Sequence, residues 1–328
     1  MGEGNPIDTI EKAHMKTVEL GTTGQQVSAI SLGCMSLTHA NEADGIATVR
    51  RAHESGITFY DTADVYTGGE SEEVLGKALK EIGISREDVI IASKCGIVFP
   101  GMVPAYEHKA YDLSATYLKS SVEASLKRLD MDYIDLIQPH RIDYLAHPEE
   151  IGQAFEELKN EGKVRHVGVS NYTADEIRAL SEYVRLESLQ TQFSLLHLEP
   201  IETGLTAVCL EKKMNVLCWS PNHKGVLAGK FSARDDWQEQ REAGVAAQVK
   251  AFADQYGWTM SQVALAWLMQ LPGGVIPLVG TANPDHLAEA VDAVGKTLDR
   301  DDWYELMVIA RGRPMPWGQR PYVYTKER

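Results

Sequence analysis

Gly162-Lys163-Val164-Arg165-His166-Val167-Gly168-Val169-Ser170-Asn171-Tyr172-Thr173-Ala174-Asp175-Glu176 carries a helix end, a strand and a helix start in one unbroken run. Gly162 stands where a left-handed glycine closes a helix. Val164–Ser170 is short, rich in valine and bounded by polar residues, as a strand buried on both faces should be. Thr173 and Glu176 have the spacing of a capping box, which starts a helix at Ala174. The run therefore predicts a βα repeat with a parallel strand.

The same unit recurs on both sides. Short apolar or β-branched runs at 28–33, 58–61, 89–94, 133–138, 189–193, 216–220 and 274–279 join the quoted strand. Helical spacing near 3.6 residues marks 40–55, 70–82, 115–129, 148–160, 174–184, 203–213, 245–271 (broken near Gly257) and 284–294. Asn283 and Pro284 read as N-cap and first helical residue. Eight strand–helix units in strict alternation predict an α/β fold of the closed (β/α)8 TIM-barrel type. No GxGxxG follows the first strand, which argues against an open dinucleotide-binding sheet. Residues 17–20 and 26–28, around Gly21 and Gly24, predict an N-terminal β-hairpin that plugs the barrel's bottom. Residues 311–328, rich in Pro, Gly, Arg and Tyr, read as an extended C-terminal tail. Without a linker, repeat or low-complexity tract, residues 1–328 read as one domain, with the barrel at about 16–310.

Composition narrows the function. The chain has 328 residues, 44% hydrophobic, with a formal net charge of −15. Such an acidic surface repels phosphate backbones and anionic bilayers, which disfavours nucleic acid and membrane as partners. Cys34, Cys95, Cys209 and Cys218 lack CxxC spacing and read as buried thiols in a reducing compartment. Residues 1–16 have no apolar signal core, and the longest apolar stretches are too short to span a bilayer. A soluble cytoplasmic protein is the expectation.

In an α/β barrel, reactive groups sit at the C-terminal ends of the strands. Those ends here carry Asp61 and, five residues on, Tyr66; Lys94; His140; Ser170 and Asn171; Gln190 and Gln192; and Trp219, Ser220 and Pro221. Each has an ordinary structural reading alone. Converging on one mouth, an Asp, a Tyr, a Lys and a His suit carbonyl reduction. The carbonyl oxygen gains negative charge as hydride arrives and needs a proton donor and an oxyanion partner. Tyrosine is a weak acid with a pKa of roughly 10. An adjacent ammonium lowers that value, and a carboxylate keeps the ammonium charged. No cluster of His and carboxylates has metal-ligand spacing.

At these residues the chain resembles the aldo-keto reductase superfamily. The resemblance rests on Asp61-Thr62-Ala63-Asp64-Val65-Tyr66 followed by Gly69, Glu70, Ser71, Glu72, Leu75 and Gly76. It continues in Ser93-Lys94, in Asp135 to His140 and in Gly162 to Asn171. It implies an NAD(P)-dependent oxidoreductase that interconverts a small aldehyde or ketone and its alcohol. Tyr66 would be the general acid, tuned by Lys94 and Asp61, with His140 orienting the carbonyl. Met35 and Asp61 would border the cofactor. Ser170, Asn171 and Gln192 would hold the nicotinamide carboxamide, and Trp219 would stack on its ring. Ser220, Pro221, Leu227 and Lys230 would follow the pyrophosphate. Gly280, Thr281, His286 and Glu289 would meet the adenosine. No metal is implied.

The sequence departs from the family at the adenosine 2′-phosphate. Relatives that prefer NADPH generally place Lys or Arg near Ala282 and Asn near Ala290. Two alanines there predict NADPH as usable but less strongly preferred over NADH. The segment 96–113, with Phe99, Met102, Tyr106 and Tyr111, is expected to shape the substrate pocket. Met35, Trp237, Trp317, Tyr322 and Tyr324 are further apolar candidates. The other readings of the barrel are a nucleotide-binding regulatory subunit, as in the potassium-channel β subunits that resemble this family, and a metal-dependent isomerase or hydrolase. Substrate identity and monomer versus homo-oligomer stay open.

Overall fold

The computed structural model describes residues 15–102, 106–230, 237–281 and 283–315. In chain order the strands are β1 (Thr17–Glu19), β2 (Gln26–Ser28), β3 (Ser31–Gly33), β4 (Phe59–Asp61), β5 (Ile90–Cys95) and β6 (Ile97–Val98). They continue with β7 (Ala110–Tyr111), β8 (Ile134–Pro139), β9 (Val164–Ser170), β10 (Leu186–Gln192), β11 (Asn215–Trp219) and β12 (Val275–Val279). The helices are α1 (Glu42–Glu54), α2 (Glu70–Ile82), α3 (Ala115–Leu129), α4 (Pro148–Asn160), α5 (Ala174–Ser181) and α6 (Glu199–Glu202). After them come α7 (Leu205–Lys212), α8 (Trp237–Tyr256), α9 (Met260–Met269), α10 (Pro284–Val291) and α11 (Arg300–Arg311).

Strands β3, β4, β5, β8, β9, β10, β11 and β12 close in that order into a parallel barrel, with β12 returning to β3. The alternation expected from the sequence is thus a (β/α)8 barrel. The antiparallel pair β1–β2 covers its lower mouth. The Gly21 N–H donates to Asn215 Oδ1 at 2.6 Å, and the Thr22 N–H to Glu187 Oε2 at 2.8 Å, both at the lower ends of strands. Leu20 and Val27 enter the barrel and pack with Phe59, Ile90, Ala92, Leu136, Leu217, Ile276 and Leu278.

The period of two along each strand then sets the upper layer. Above Phe59 on the inward face comes Asp61; above Ala92, Lys94; above Leu136, Gln138. The outward residues, Tyr60, Ile91 and Ile137 among them, join the larger core between strands and helices. The barrel interior is therefore apolar below and polar above.

Helix starts follow the expected caps. Thr173 and Glu176 make a complete capping box and Asn283 accepts the Asp285 N–H, while Thr259 and Gln262 make a further box that was not anticipated. The long helical stretch breaks at Gly257, in the left-handed region at φ +66°. Several elements, α6 among them, escape the periodicity reading. α11 fills part of the gap left between 294 and 311, so the tail expected from Arg311 onward begins only after a helix. It is pinned by stacking of Trp303 on Trp267, centroids 4.9 Å apart, with each indole N–H donating to the other's carbonyl. The segment after β5 contains the antiparallel pair β6–β7 where a loop was expected. The residues beyond 315, with Trp317, Tyr322 and Tyr324, and the side chain of Trp237 lie outside those described. Among the described residues no helix is long and apolar enough to cross a membrane.

Gly76 shows how tightly α2 meets α3. A Cβ there would lie 2.2 Å from the Leu129 carbonyl oxygen. The obstacle is backbone, which cannot step aside like a side chain. Gly76→Ala should destabilise the protein by about 1–3 kcal/mol despite alanine's better helix propensity. Urea unfolding measures this; a variant as stable as the parent would mean that α2 and α3 separate freely.

Candidate active site

Four side chains meet above the apolar plug. Lys94 and Asp61 are buried on neighbouring strands, β5 and β4. The Lys94 ammonium donates to both Asp61 carboxylate oxygens at 2.9 Å, to the Thr62 carbonyl at 2.7 Å and to the Tyr66 hydroxyl at 3.1 Å. Gln190 Nε2 donates to Asp61 Oδ1 at 2.7 Å. The ammonium's three hydrogens are thus committed. Because the Tyr66 oxygen accepts from Lys94, its own hydrogen is left for the cavity. His140, just past the end of β8, turns its ring edge-on to Tyr66 at 5.8 Å between centroids and 78° between planes.

Tyr66 is placed by a tight turn. Thr67, Gly68 and Gly69 have φ of 50°, 70° and 103°, which reverses the chain into α2. Ser71 at the start of α2 donates to the Cys34 carbonyl and hydrogen-bonds Thr62, while buried Glu72 accepts from Ser93 and pairs with Arg128. Ser71 and Glu72 therefore anchor the turn that carries Tyr66. Asp64 points away, accepting from Ser121, and burial pushes its carboxyl up to about 7.

Burial dominates the protonation of the site. It raises the Tyr66 phenol above its ordinary value; Lys94 pulls downward but does not prevail. The ammonium lowers this pKa as expected, but desolvation of the phenolate outweighs one already shared charge, so the net shift is upward. Lys94 loses by burial but gains more from Asp61 and Tyr66, and stays above its usual range. His140 is pushed down to about 2 by burial first, then by Lys94, Arg141 and Lys109. It is therefore neutral, and its Nδ1 is buried with no hydrogen-bond partner among the described residues.

A cavity of about 570 Å³ runs from these groups across β11 and β12 to α10. It is lined by Asp61, Tyr66, His140, Met35, Ser170, Asn171, Trp219, Ser220, Pro221, Lys230, Gly280, Thr281, His286 and Glu289. Two expected residues fall elsewhere. Gln192 lies in an adjoining recess with Tyr172 and His197, whereas Gln190, one pleat deeper, lines the cavity. Leu227 is fully buried in the core, with its N–H bonded to the Asn222 carbonyl. Asn222, Lys224, Gly225 and Ala228 line the cavity and were not anticipated, since a loop without periodicity gives no sign of which residues face inward. Ala282 lies outside the described residues; Ala290 is in the wall.

Asn171 ties the upper rim together. In the left-handed region at φ 58°, it donates to Ser170 Oγ at 2.7 Å and to the His140 carbonyl at 3.3 Å, and accepts from Trp219 Nε1 at 3.1 Å. Of the expected apolar contributors in 96–113, Phe99 and Tyr111 are partly exposed beneath Lys109, 5.5 and 5.9 Å from its ammonium.

The model of the aldo/keto reductase family matches residues 29–310. A 6-dehydroglucose reductase of Novosphingobium aromaticivorans is 36% identical, covering 91% of this chain and 96% of its own. A versiconal hemiacetal acetate reductase of Aspergillus parasiticus is 32% identical, covering 85% and 92%. Among solved structures, a glycerol dehydrogenase of Gluconobacter oxydans superposes with a TM-score of 0.81 at 25% identity, covering 93% and 98%.

The burial of His140 can be read in solution. Its ring resonances should stay constant from about pH 5 to pH 9. Exposed His39, held by Glu73 and Glu42, should titrate above the usual histidine value and serves as the internal control. NMR showing His140 to protonate near about 6.5 would mean the site is wet.

Proposed function

The chain belongs to the aldo/keto reductase family, and on that basis we propose that it reduces an aldehyde or ketone to the alcohol, reversibly, with a nicotinamide dinucleotide along the cavity and Tyr66 as general acid. One observation carries the reading. The Tyr66 oxygen accepts from a lysine fixed by Asp61, so its hydrogen is free to leave toward the cavity beside a neutral histidine.

Bound there, the cofactor supplies the hydride. The protein supplies the rest. Tyr66 gives its proton to the carbonyl oxygen as charge develops on it. Lys94 stabilises the phenolate left behind, and Asp61 keeps Lys94 charged and still. Neutral His140 offers a hydrogen bond to the same oxygen without competing for the proton.

The lining suits the cofactor. Ser170, Asn171 and Gln190 offer amide and hydroxyl partners for a carboxamide, with Gln190 taking the part first given to Gln192. Trp219 offers a ring face for the nicotinamide. Ser220, Pro221, Lys224 and Lys230 would flank the pyrophosphate, with Lys224 and Lys230 making no ion pair among the described residues. Gly280, Thr281, His286 and Glu289 would receive the adenosine. That end presents Ala290 and a carboxylate, with no Lys or Arg in its described wall. NADPH is the cofactor proposed, with NADH accepted alongside it.

Tyr66→Phe should lower kcat by about 10²- to 10⁴-fold while leaving cofactor affinity, read from quenching of tryptophan fluorescence, nearly unchanged. A variant within about threefold of the parent's kcat would remove Tyr66 from the role. Turnover on carbonyls without a protein partner separates the enzyme from a regulatory subunit of the same fold. The ratio of kcat/KM for NADPH over NADH should stay below about 1,000, because no Lys or Arg among the described residues lines the adenosine end to clamp a 2′-phosphate. A larger ratio would require a phosphate site elsewhere in the wall.

A further inference from the structure

The cavity wall beyond His140 is cationic. Arg141 follows His140 directly and lines both the main cavity and the adjoining recess between β9, β10 and β11. Its guanidinium makes no hydrogen bond or ion pair with any described residue. The acidic groups at this end of the barrel are engaged elsewhere. Asp175 pairs with Arg178 and Glu199 with His197. Both oxygens of Asp143 accept backbone N–H groups, from Leu113 and Leu145, at 2.9 Å. Lys109 stands nearby over Phe99 and Tyr111, also without a carboxylate partner among the described residues.

In a chain of net charge −15 this is an unusual allocation. Partial burial of a guanidinium is unfavourable unless something supplies the opposite charge. The cavity's other cations have different positions or duties. Lys94 has no donor left, and Lys224 and Lys230 lie in the loop after β11. Among the described residues of the cavity wall, Arg141 is thus the uncommitted cation beside Tyr66 and His140. Its planar fork matches the oxygens of a carboxylate or a phosphate ester.

We propose that Arg141 is an anion subsite, and that the substrate is an aldehyde or ketone carrying a carboxylate or phosphate ester on the same chain. This rests on the reductase reading above. The carbonyl is held between Tyr66 and His140, and the anionic end reaches past His140 to the guanidinium. The subsite fixes the direction in which the substrate enters and raises the affinity for charged carbonyls over neutral ones of equal size.

The test compares matched pairs with the wild-type enzyme: succinic semialdehyde against butanal, and glyceraldehyde 3-phosphate against glyceraldehyde. The charged member of at least one pair should have a kcat/KM about 10- to 100-fold higher, mainly through KM, as charge-assisted hydrogen bonds of this kind provide. The pair that shows the preference tells carboxylate from phosphate. In Arg141→Gln the ratio should collapse toward one, and Arg141→Lys should keep part of it. Equal turnover of charged and neutral members by the wild type, or a ratio unchanged in Arg141→Gln, overturns the subsite while leaving the reductase standing. A rise in cofactor Kd in Arg141→Gln with the substrate ratio preserved assigns Arg141 to the nucleotide and overturns it too. Failure to reduce any of the four with either nucleotide removes both the subsite and the reading beneath it.

Discussion

The ion pair between Lys94 and Asp61 organises the upper half of the barrel. Both groups are taken out of water, which is strongly unfavourable for each alone. They persist because the geometry is nearly saturated. Lys94 has four oxygen acceptors around it, and Asp61 receives Gln190 as well as the ammonium. Removing either partner would strand a buried charge, at about 3–5 kcal/mol. The pair also joins β4, β5 and β10, and it reaches Tyr66 through the turn after β4. A site built this way cannot be adjusted one residue at a time, because Tyr66 takes its position from a charge whose own position depends on two other strands.

Below the pair, the β1–β2 hairpin has a less obvious part. By filling the lower barrel with Leu20 and Val27 it keeps water from approaching Asp61 and Lys94 from beneath. Low polarisability there strengthens the attraction between them. The same dryness acts on Tyr66 and His140 in a common direction, toward the neutral form of each. Phenol and imidazole both stay uncharged, so among the described residues the ammonium is the cation in contact with the phenol. The protonation states of this site arise from what burial forbids as much as from what contacts supply.

Most of this was legible in the sequence, and the failures have physical causes. The strands showed themselves because a parallel barrel buries both faces and so writes continuous apolar runs. Val164–Ser170, with its capping box at Thr173, fixed the repeat almost without help. Asp61, Tyr66, Lys94 and His140 stood out because strand ends are the one place where a barrel tolerates polar residues facing inward. α11 was missed because Asp299, Arg300, Asp301 and Asp302 open it with four charges, and Asp302 is buried against Gln255 and Tyr256 where an apolar residue would be expected. Gln190 and Gln192 share a face, and sequence alone offers no measure of depth to choose between them. Leu227 went the wrong way because the loop after β11 winds through a short 3-10 turn with Lys224 and Gly225 left-handed, which aims Leu227 into the core and its neighbours at the cavity.

The sign of the Tyr66 shift carries a broader point about reading chemistry from residue types. A lysine beside a tyrosine suggests an acidified phenol, and in water it would give one. Here the ammonium is shared with a carboxylate at equal or shorter distance, so much of its field is spent before it reaches the phenol. Burial acts on the phenolate undiluted. In the proposed reduction, such a tyrosine would hold its proton until a partner of higher affinity arrives, and the oxygen of a carbonyl receiving hydride would be such a partner. Proton transfer would then be coupled to the developing charge and not precede it, as general-acid catalysis by Tyr66 would require. The Lys94 contact would matter after that transfer, when the negative charge on Tyr66 would need a neighbour that is already charged, already oriented and unable to leave.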